Sequence, residues 1–327
     1  MNPLLAVHDL HTDFRTSRGA VRAVDGVSFQ LDEGECLGIV GESGSGKSVL
    51  VRTVMDLLPA TASVGAGSRI EWRGRDILSL PPAEARKLWG PQLAMIFQDP
   101  ATSLNPVRRI GDQIADPQRQ HLGRGRKAAR EAAADLLAQV GIADPVRRLR
   151  QYPHELSGGM RQRVMIAIAL SCEPRLLIAD EPTTALDVTV QRQILELLRT
   201  LQQERGMSMI LISHDLGVVA GHTDRVAVMY AGRMVESAET KDLFRAVRHR
   251  YTDGLLRSTP RVEFAPHTRL EAIPGRPPDL VDPPPGCRFA PRCAHALDRC
   301  RERVPQLTDI GGGHLVACHN PAGKGDA

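Results

Sequence analysis

The chain has 327 residues, 42 % of them apolar and 24 % charged, with a formal net charge of +4. That is ordinary for a globular protein, and the length suits one large domain or one domain with an appendix. The longest apolar run, Val164–Leu170, falls far short of the ~20 residues that cross a bilayer, and 37 of the 42 basic residues are arginines interspersed with acids, which argues against a broad nucleic-acid footprint.

The opening stretch MNPLLAVHDLHTDF has no basic segment followed by an apolar core and a small-residue cleavage site, so the expectation is a protein that stays in the cytoplasm, where disulfides are rare. From Leu4 to about Asp215 short apolar runs alternate with amphipathic stretches. CLGIV (36–40), LAMIF (93–97), RLLIA (175–179) and SMILIS (208–213) read as buried strands. Lys47–Leu58, Arg126–Val140, Met160–Ser171 and Val190–Arg205 read as helices between them, which predicts an α/β fold with a largely parallel sheet. Residues 78–160 have no clear strand after Phe97 and read as a mainly helical insert. VAVMYAGRMVE (226–236) reads as a hairpin turning at Ala231–Gly232. Six of the twelve residues from Pro274 to Pro285 are proline, which excludes helix and central strand there. A boundary is expected near residue 260, giving a domain over 1–260 and a small appended module over 261–327.

GESGSGKS (41–48) follows a strand and opens a helix, the context that makes a phosphate-binding loop credible. Its glycines, Gly41, Gly44 and Gly46, let the backbone through Glu42, Ser43 and Ser45 curl so that successive N–H groups point at phosphate oxygens, and the helix N-terminus adds partial positive charge. Lys47 can reach the β- and γ-phosphates of a nucleotide, and Ser48 can ligate Mg²⁺. RLLIADEP (175–182) ends an apolar strand on two acids. Asp180 is the natural partner for Mg²⁺ and Glu181 for an attacking water. LSGGMRQR (156–163) sets Ser157, Gly158 and Gly159 at the start of an apolar helix, a second anion-binding terminus. One nucleotide needs only one such loop, so the second is either an ordinary capped helix start or it serves a nucleotide held by another subunit.

GESGSGKS, LSGGMRQR, LLIADEP, TALD (184–187) and ISHD (212–215), in this order, resemble the nucleotide-binding subunit of an ATP-binding-cassette (ABC) transporter over residues 4–260. The resemblance implies a P-loop NTPase cassette, a RecA-like core plus a helical subdomain over about 78–160, that hydrolyses ATP with Mg²⁺. It also implies a head-to-tail pair of cassettes in which Ser157–Gly159 of one closes on ATP held by the other. By the same resemblance Gln98 touches Mg²⁺ and the attacking water, His214 contacts the γ-phosphate and holds the water with Glu181, Asp187 crosses the dimer interface, and Phe14 stacks on adenine. Without the family, Gln98 would read as a solvated loop residue, His214 as a capping residue and Asp187 as a turn acid.

QDPATSLNPVRRIGDQIA (98–115), HRYTDGLLRSTP (249–260) and the tail from IPGRPPDL resemble the peptide and nickel importers of that family, most of all a dipeptide or oligopeptide permease. The resemblance implies a heterodimer with a second ATPase subunit, two transmembrane permease subunits, an extracytoplasmic binding protein and a place on the cytoplasmic face of the cell membrane. Import of nickel or another small solute is an alternative, as is a soluble ABC ATPase acting on nucleic acid or ribosomes. The second lacks support, because the chain has one cassette, no heptad run and only 3 % aromatic residues.

Four of the six cysteines, Cys287, Cys293, Cys300 and Cys318, stand in the last 41 residues. Structural zinc favours tighter pairs, and neither standard ferredoxin spacing matches. Inert thiols clustered by chance remain open, and His295, His314 and His319 could replace a cysteine in a metal site. The resemblance to peptide-permease ATPases implies that the four cysteines hold a [4Fe–4S] cluster, structural or regulatory in role, which a proline-rich chain unable to bury its own core would suit. If the two parts are separable, Cys293→Ser removes iron and leaves ATP binding intact. Cys36 and Cys172 read as small buried hydrophobes.

Overall fold

The computed structural model describes residues 3–184, 186–258 and 272–323. The boundary expected near residue 260 and Ala185 of the TALD stretch lie outside them. Among the described residues the strands run β1 (Leu5–Thr16), β2 (Gly19–Leu31), β3 (Cys36–Val40), β4 (Ala62–Val64), β5 (Arg69–Trp72), β6 (Arg75–Asp76), β7 (Leu93–Ile96), β8 (Leu176–Asp180), β9 (Ser208–Ser213), β10 (Arg225–Tyr230), β11 (Arg233–Glu239), β12 (Thr308–Asp309) and β13 (Leu315–Val316). The chain divides into two compact units. One comprises Met1–Asp32, Cys36–Leu78 and Ser213–Ala327; the other comprises Glu33–Glu35 and Ser79–Ile212.

In the first unit β1 and β2 form a long antiparallel hairpin from Leu5↔Leu31 to Thr16↔Gly19, broken by register irregularities. β4 and β5 add to β1, and β6 to β5, all antiparallel. This antiparallel sheet was not among the expected strands, which are β3 and β7–β9 and which do pair in parallel, β3 with β10 and β7–β9 with one another. Its signal is period-two alternation: Val27, Phe29 and Leu31 are buried while Gly26, Ser28 and Gln30 are exposed. A search for continuous apolar runs finds strands buried on both faces and passes over strands buried on one.

The continuous run CLGIV is such a doubly buried strand, β3, every residue of it buried. β10 lies parallel to β3 and antiparallel to β11. The expected hairpin turn is present, with Ala231 at φ 48° and Gly232 at φ 84°. Positive φ at both central residues is what a two-residue turn needs to match strand twist. The C-terminal residues continue this structure: β13 pairs antiparallel with β11, and β12 with β13.

In the second unit β7, β8 and β9 are parallel, from Leu93↔Leu176 and Leu176↔Ser208 onward. Between β7 and β8 every element is helical, the longest being Ile110–Leu122 and Arg126–Gln139. These two helices and β7 pack against the helix Gly158–Ala169, which buries Val164, Met165, Ile166 and Ala167. The helix Val188–Arg205 buries Ile194, Leu195, Leu198 and Leu201 on one stripe.

Candidate functional site

In the first unit the phosphate loop joins β3 to the helix Lys47–Val54, as its sequence context predicts. Two glycines are obligatory. A Cβ at Gly46 (φ 99°) would come within 2.2 Å of the Ala23 carbonyl oxygen, and one at Gly41 within 2.1 Å of that of Met229. The loop therefore lies against the chain behind it with no room for a side chain. Lys47 is 4 % exposed. Its ammonium donates to the carbonyls of Gly41 at 2.7 Å and Glu42 at 3.1 Å, so the loop curls around its own lysine. Ser45 is buried and donates its N–H to Glu42 O at 3.1 Å, whereas Ser43 and Gly44 are exposed at the rim and Ser48 is half-buried. Phe14 is half-buried on β1 between Val21 and Ala62 of the neighbouring strands. His214 follows β9 on the surface, and Asp215, not His214, caps the next helix by accepting from Gly217 N–H at 2.7 Å.

In the second unit the structure joins Gln98 to Glu181. The Gln98 amide donates to Glu181 Oε2 at 2.9 Å, and the Thr184 hydroxyl donates to the same oxygen at 3.0 Å. Glu181 has a left-handed backbone, φ 47°, a conformation that costs a non-glycine residue free energy and is held in place by its surroundings. Its N–H donates to Ile212 O at 3.2 Å. Asp180, the last residue of β8, is fully buried. Ser157 caps the helix Gly158–Ala169, accepting from Met160 N–H at 3.4 Å, and Asp187 caps Val188–Arg205, accepting from Thr189 and Val190 N–H at 3.1 and 3.0 Å. Both do the ordinary work of a helix cap, which is compatible with a further role.

The four C-terminal cysteines line one small cavity of about 20 Å³, together with His249, Arg250, Phe289, Ala290, His295, Ala296, His319 and Asn320. Burial pushes the Cys287 thiol up to about 11, and the nearby Cys318 and Cys300 push it the same way. Cys293 and Cys318 are likewise raised, first by burial and then by neighbouring thiols. The four cysteines thus line a common space, and their thiol protons must leave if a metal enters. His314 is elsewhere, its Nε2 donating to the buried Glu236 carboxylate at 2.8 Å. Among the described residues no group of three His, Cys, Asp or Glu side chains is arranged to hold a metal ion, so the cysteines form no ready-made site for a single ion. Cys36 and Cys172 are buried, as expected.

The sequence reading missed the residues that fasten this region to the phosphate loop. Asp25, on β2, lies between Arg233 (Nε 2.9 Å), Arg288 and His11 (Nδ1 3.2 Å). Burial raises its carboxyl, but Arg233 and Arg288 outweigh burial and hold it below the ordinary 3.8. Arg288 also donates to Ala231 O in the β10–β11 turn. Gly232 of that turn donates to Ser45 O of the phosphate loop at 2.8 Å. Each partner is distant in sequence, and no local pattern marks it.

The model of the family described as "ABC transporter" matches residues 24–184, and that described as "Oligopeptide/dipeptide transporter, C-terminal region" matches residues 235–300. The chain is 50 % identical to the dipeptide transport ATP-binding protein DppD of Bacillus subtilis over 97 % of its own length and 95 % of that protein's. This chain belongs to the ABC transporter family. Among solved structures it is similar to cbiO1 of Clostridium perfringens, part of the ABC transporter complex cbiONQ, with TM-score 0.64 and 28 % identity over 75 % of this chain and 92 % of the other. It is similar at the same TM-score to the dimeric bacterial ABC transporter cassette MJ0796, 25 % identical over 72 % of this chain and 98 % of that one. The ABC cassette fold expected from the five motifs is present. No helix among the described residues is long and apolar enough to cross a membrane.

Proposed function

We propose that the chain is the ATP-hydrolysing subunit of an importer that takes up di- and oligopeptides, working on the cytoplasmic face of the cell membrane. The observation that carries this is the Glu181 carboxylate, held by Gln98 and Thr184 just after β8, in a chain that is 50 % identical to a dipeptide transport ATP-binding protein over 97 % of its length. ATP is the substrate. The loop that curls around Lys47 opens the helix Lys47–Val54, the setting in which successive backbone N–H groups suit a phosphate chain. Ser48, Gln98 and Asp180 are the residues that would hold Mg²⁺, whose charge would offset that of the β- and γ-phosphates.

Each side chain then has a task. Lys47 neutralises the phosphate oxygens, and Glu181 orients the attacking water and draws on its proton. Gln98 holds Glu181 and the water in line, His214 contacts the γ-phosphate, and Phe14 stacks on adenine. In-line attack needs positioning and charge neutralisation more than covalent chemistry. Ser157, Gly158, Gly159 and Asp187 serve the second cassette of a head-to-tail pair, and the similar cassette MJ0796, solved as a dimer, supports the pairing of two cassettes. The partners are a second ATPase subunit, two permease subunits and an extracytoplasmic binding protein.

Cys287, Cys293, Cys300 and Cys318 form, with residues 261–327, a module that holds a [4Fe–4S] cluster. Four thiols around one cavity supply the ligand set of such a cluster, and the cluster would cross-link a stretch with few strands of its own. The assembled transporter in proteoliposomes tests the reading. ATP-dependent uptake of a labelled dipeptide, lost in Glu181→Gln, is expected, and ATP hydrolysis without peptide uptake but with nickel uptake would redirect the cargo. Iron and acid-labile sulfide near four per chain in anaerobically purified protein are expected; zinc without iron would overturn the cluster.

A further inference from the structure

Glu42 occupies a variable position of the phosphate loop, and phosphate binding gives its side chain no task. The structure gives it several partners, and they lead to the cysteine cavity. Its backbone N–H donates to the Tyr251 hydroxyl at 2.8 Å. Its carboxylate takes the Arg292 guanidinium in a two-pronged pair, Nη1 to Oε2 at 2.6 Å and Nη2 to Oε1 at 3.0 Å. Its carbonyl accepts from the Lys47 ammonium and the Ser45 N–H. One residue therefore joins the phosphate-binding lysine to two side chains from far along the chain.

Arg292 belongs to the segment Cys287–Cys293, and Tyr251 packs against it through Phe289. Arg292 is only 5 % exposed and is the neighbour of Cys293. It also donates to the Tyr230 hydroxyl at 3.2 Å and to Pro274 O at 2.8 Å. Phe289, two residues after Cys287, sets its ring 5.4 Å from that of Tyr251 and 5.3 Å from that of Tyr230. The two tyrosine rings are 4.5 Å apart. Cys287, Phe289 and Cys293 line the same cavity. A shift of the cysteine segment must be felt at Glu42, because a bidentate guanidinium–carboxylate pair is directional and its partner here is buried.

We propose that Arg292 is a positioning residue for ATP binding, tying the curl of the phosphate loop to the conformation of the cysteine segment, so that emptying the four-thiol site weakens ATP binding. The first half stands on the contacts alone; the second rests on the iron–sulfur reading above. It replaces the expectation that the two parts are separable.

The test measures ATP affinity, iron content and Tm on full-length wild type, Arg292→Ala, Arg292→Lys, the charge swap Glu42→Arg with Arg292→Glu, and Cys293→Ser. Loss of a charge-assisted pair predicts that Arg292→Ala weakens ATP binding roughly tenfold and raises KM for ATP more than it lowers kcat. Arg292→Lys should recover part of that loss, and the swap should bind ATP more tightly than Arg292→Ala. A merely structural arginine would lower Tm without this split. Wild-type affinity in Arg292→Ala, or in Arg292→Lys should the alanine variant not fold, overturns the positioning role. Cys293→Ser that lacks iron and binds ATP as weakly as Arg292→Ala supports the coupling. If it lacks iron and binds ATP like wild type, the coupling is overturned and Arg292 retains its role. Wild type without iron overturns both the cluster and the coupling, while the Arg292 variants still decide the rest.

Discussion

The phosphate loop and the cysteine segment belong to the same compact unit, yet they are held in opposite ways. The loop is shaped from within: glycines that admit no Cβ, and a lysine bonded to the carbonyls of its own neighbours. The cysteine segment is shaped from without. Arg288 reaches Ala231 and Asp25, Arg292 reaches Glu42, β13 pairs with β11, and Arg248 and Arg250 bond the carbonyls of Ala322 and Asn320. The loop's curl is carried by its own residues, and Glu42 ties it to Arg292 and Tyr251 outside. An externally held segment depends on contacts scattered across the chain, and anything that moves it pulls on those partners.

The sharpest way to break this contrast is inside the loop. Gly46→Ala forces a Cβ into the Ala23 carbonyl at a backbone angle that disfavours side chains. It is expected to abolish ATP binding in an equilibrium titration; retention of ATP affinity would show that the loop is not shaped by its glycines.

The external clamp should yield a smaller effect. Asp25→Asn leaves the buried Arg288, 5 % exposed, without its charged partner, a loss expected to cost about 3 kcal/mol and to appear as a lower Tm. The pH dependence carries a sign. Because Asp25 titrates below its ordinary 3.8 in the folded chain, its stabilisation is complete above that value and is lost as pH falls through the folded one. The variant should therefore show a flatter acid limb of stability than wild type. An equally steep limb would mean that other carboxylates set it.

In the second unit the contrast repeats on a smaller scale. Ser157→Ala removes a cap and should cost about 1 kcal/mol. If Ser157 also serves a second cassette's nucleotide, ATP turnover by the assembled pair should fall by more than that loss explains.

These differences also settle what could be read from the sequence. Self-contained features were legible: the curl from Gly41 to Ser48, the doubly buried strands CLGIV and SMILIS, the turn at Ala231–Gly232, and the acids closing β8. The antiparallel sheet of β1, β2 and β4–β6 was written in alternation and overlooked because its strands are apolar on one face only. The contacts that join Glu42 to Tyr251 and Arg292, and Asp25 to Arg288, were beyond local reading. Arg292 is one arginine among 37, and only the folded chain brings it 250 positions back to the phosphate loop.

The central claim is that the chain hydrolyses ATP through Glu181. It is tested most directly by phosphate release from Mg²⁺-ATP, wild type against Glu181→Gln, with ATP binding followed in parallel. The account predicts that the variant binds ATP as wild type does and releases phosphate at least about 100-fold more slowly. Undiminished phosphate release by Glu181→Gln would contradict it.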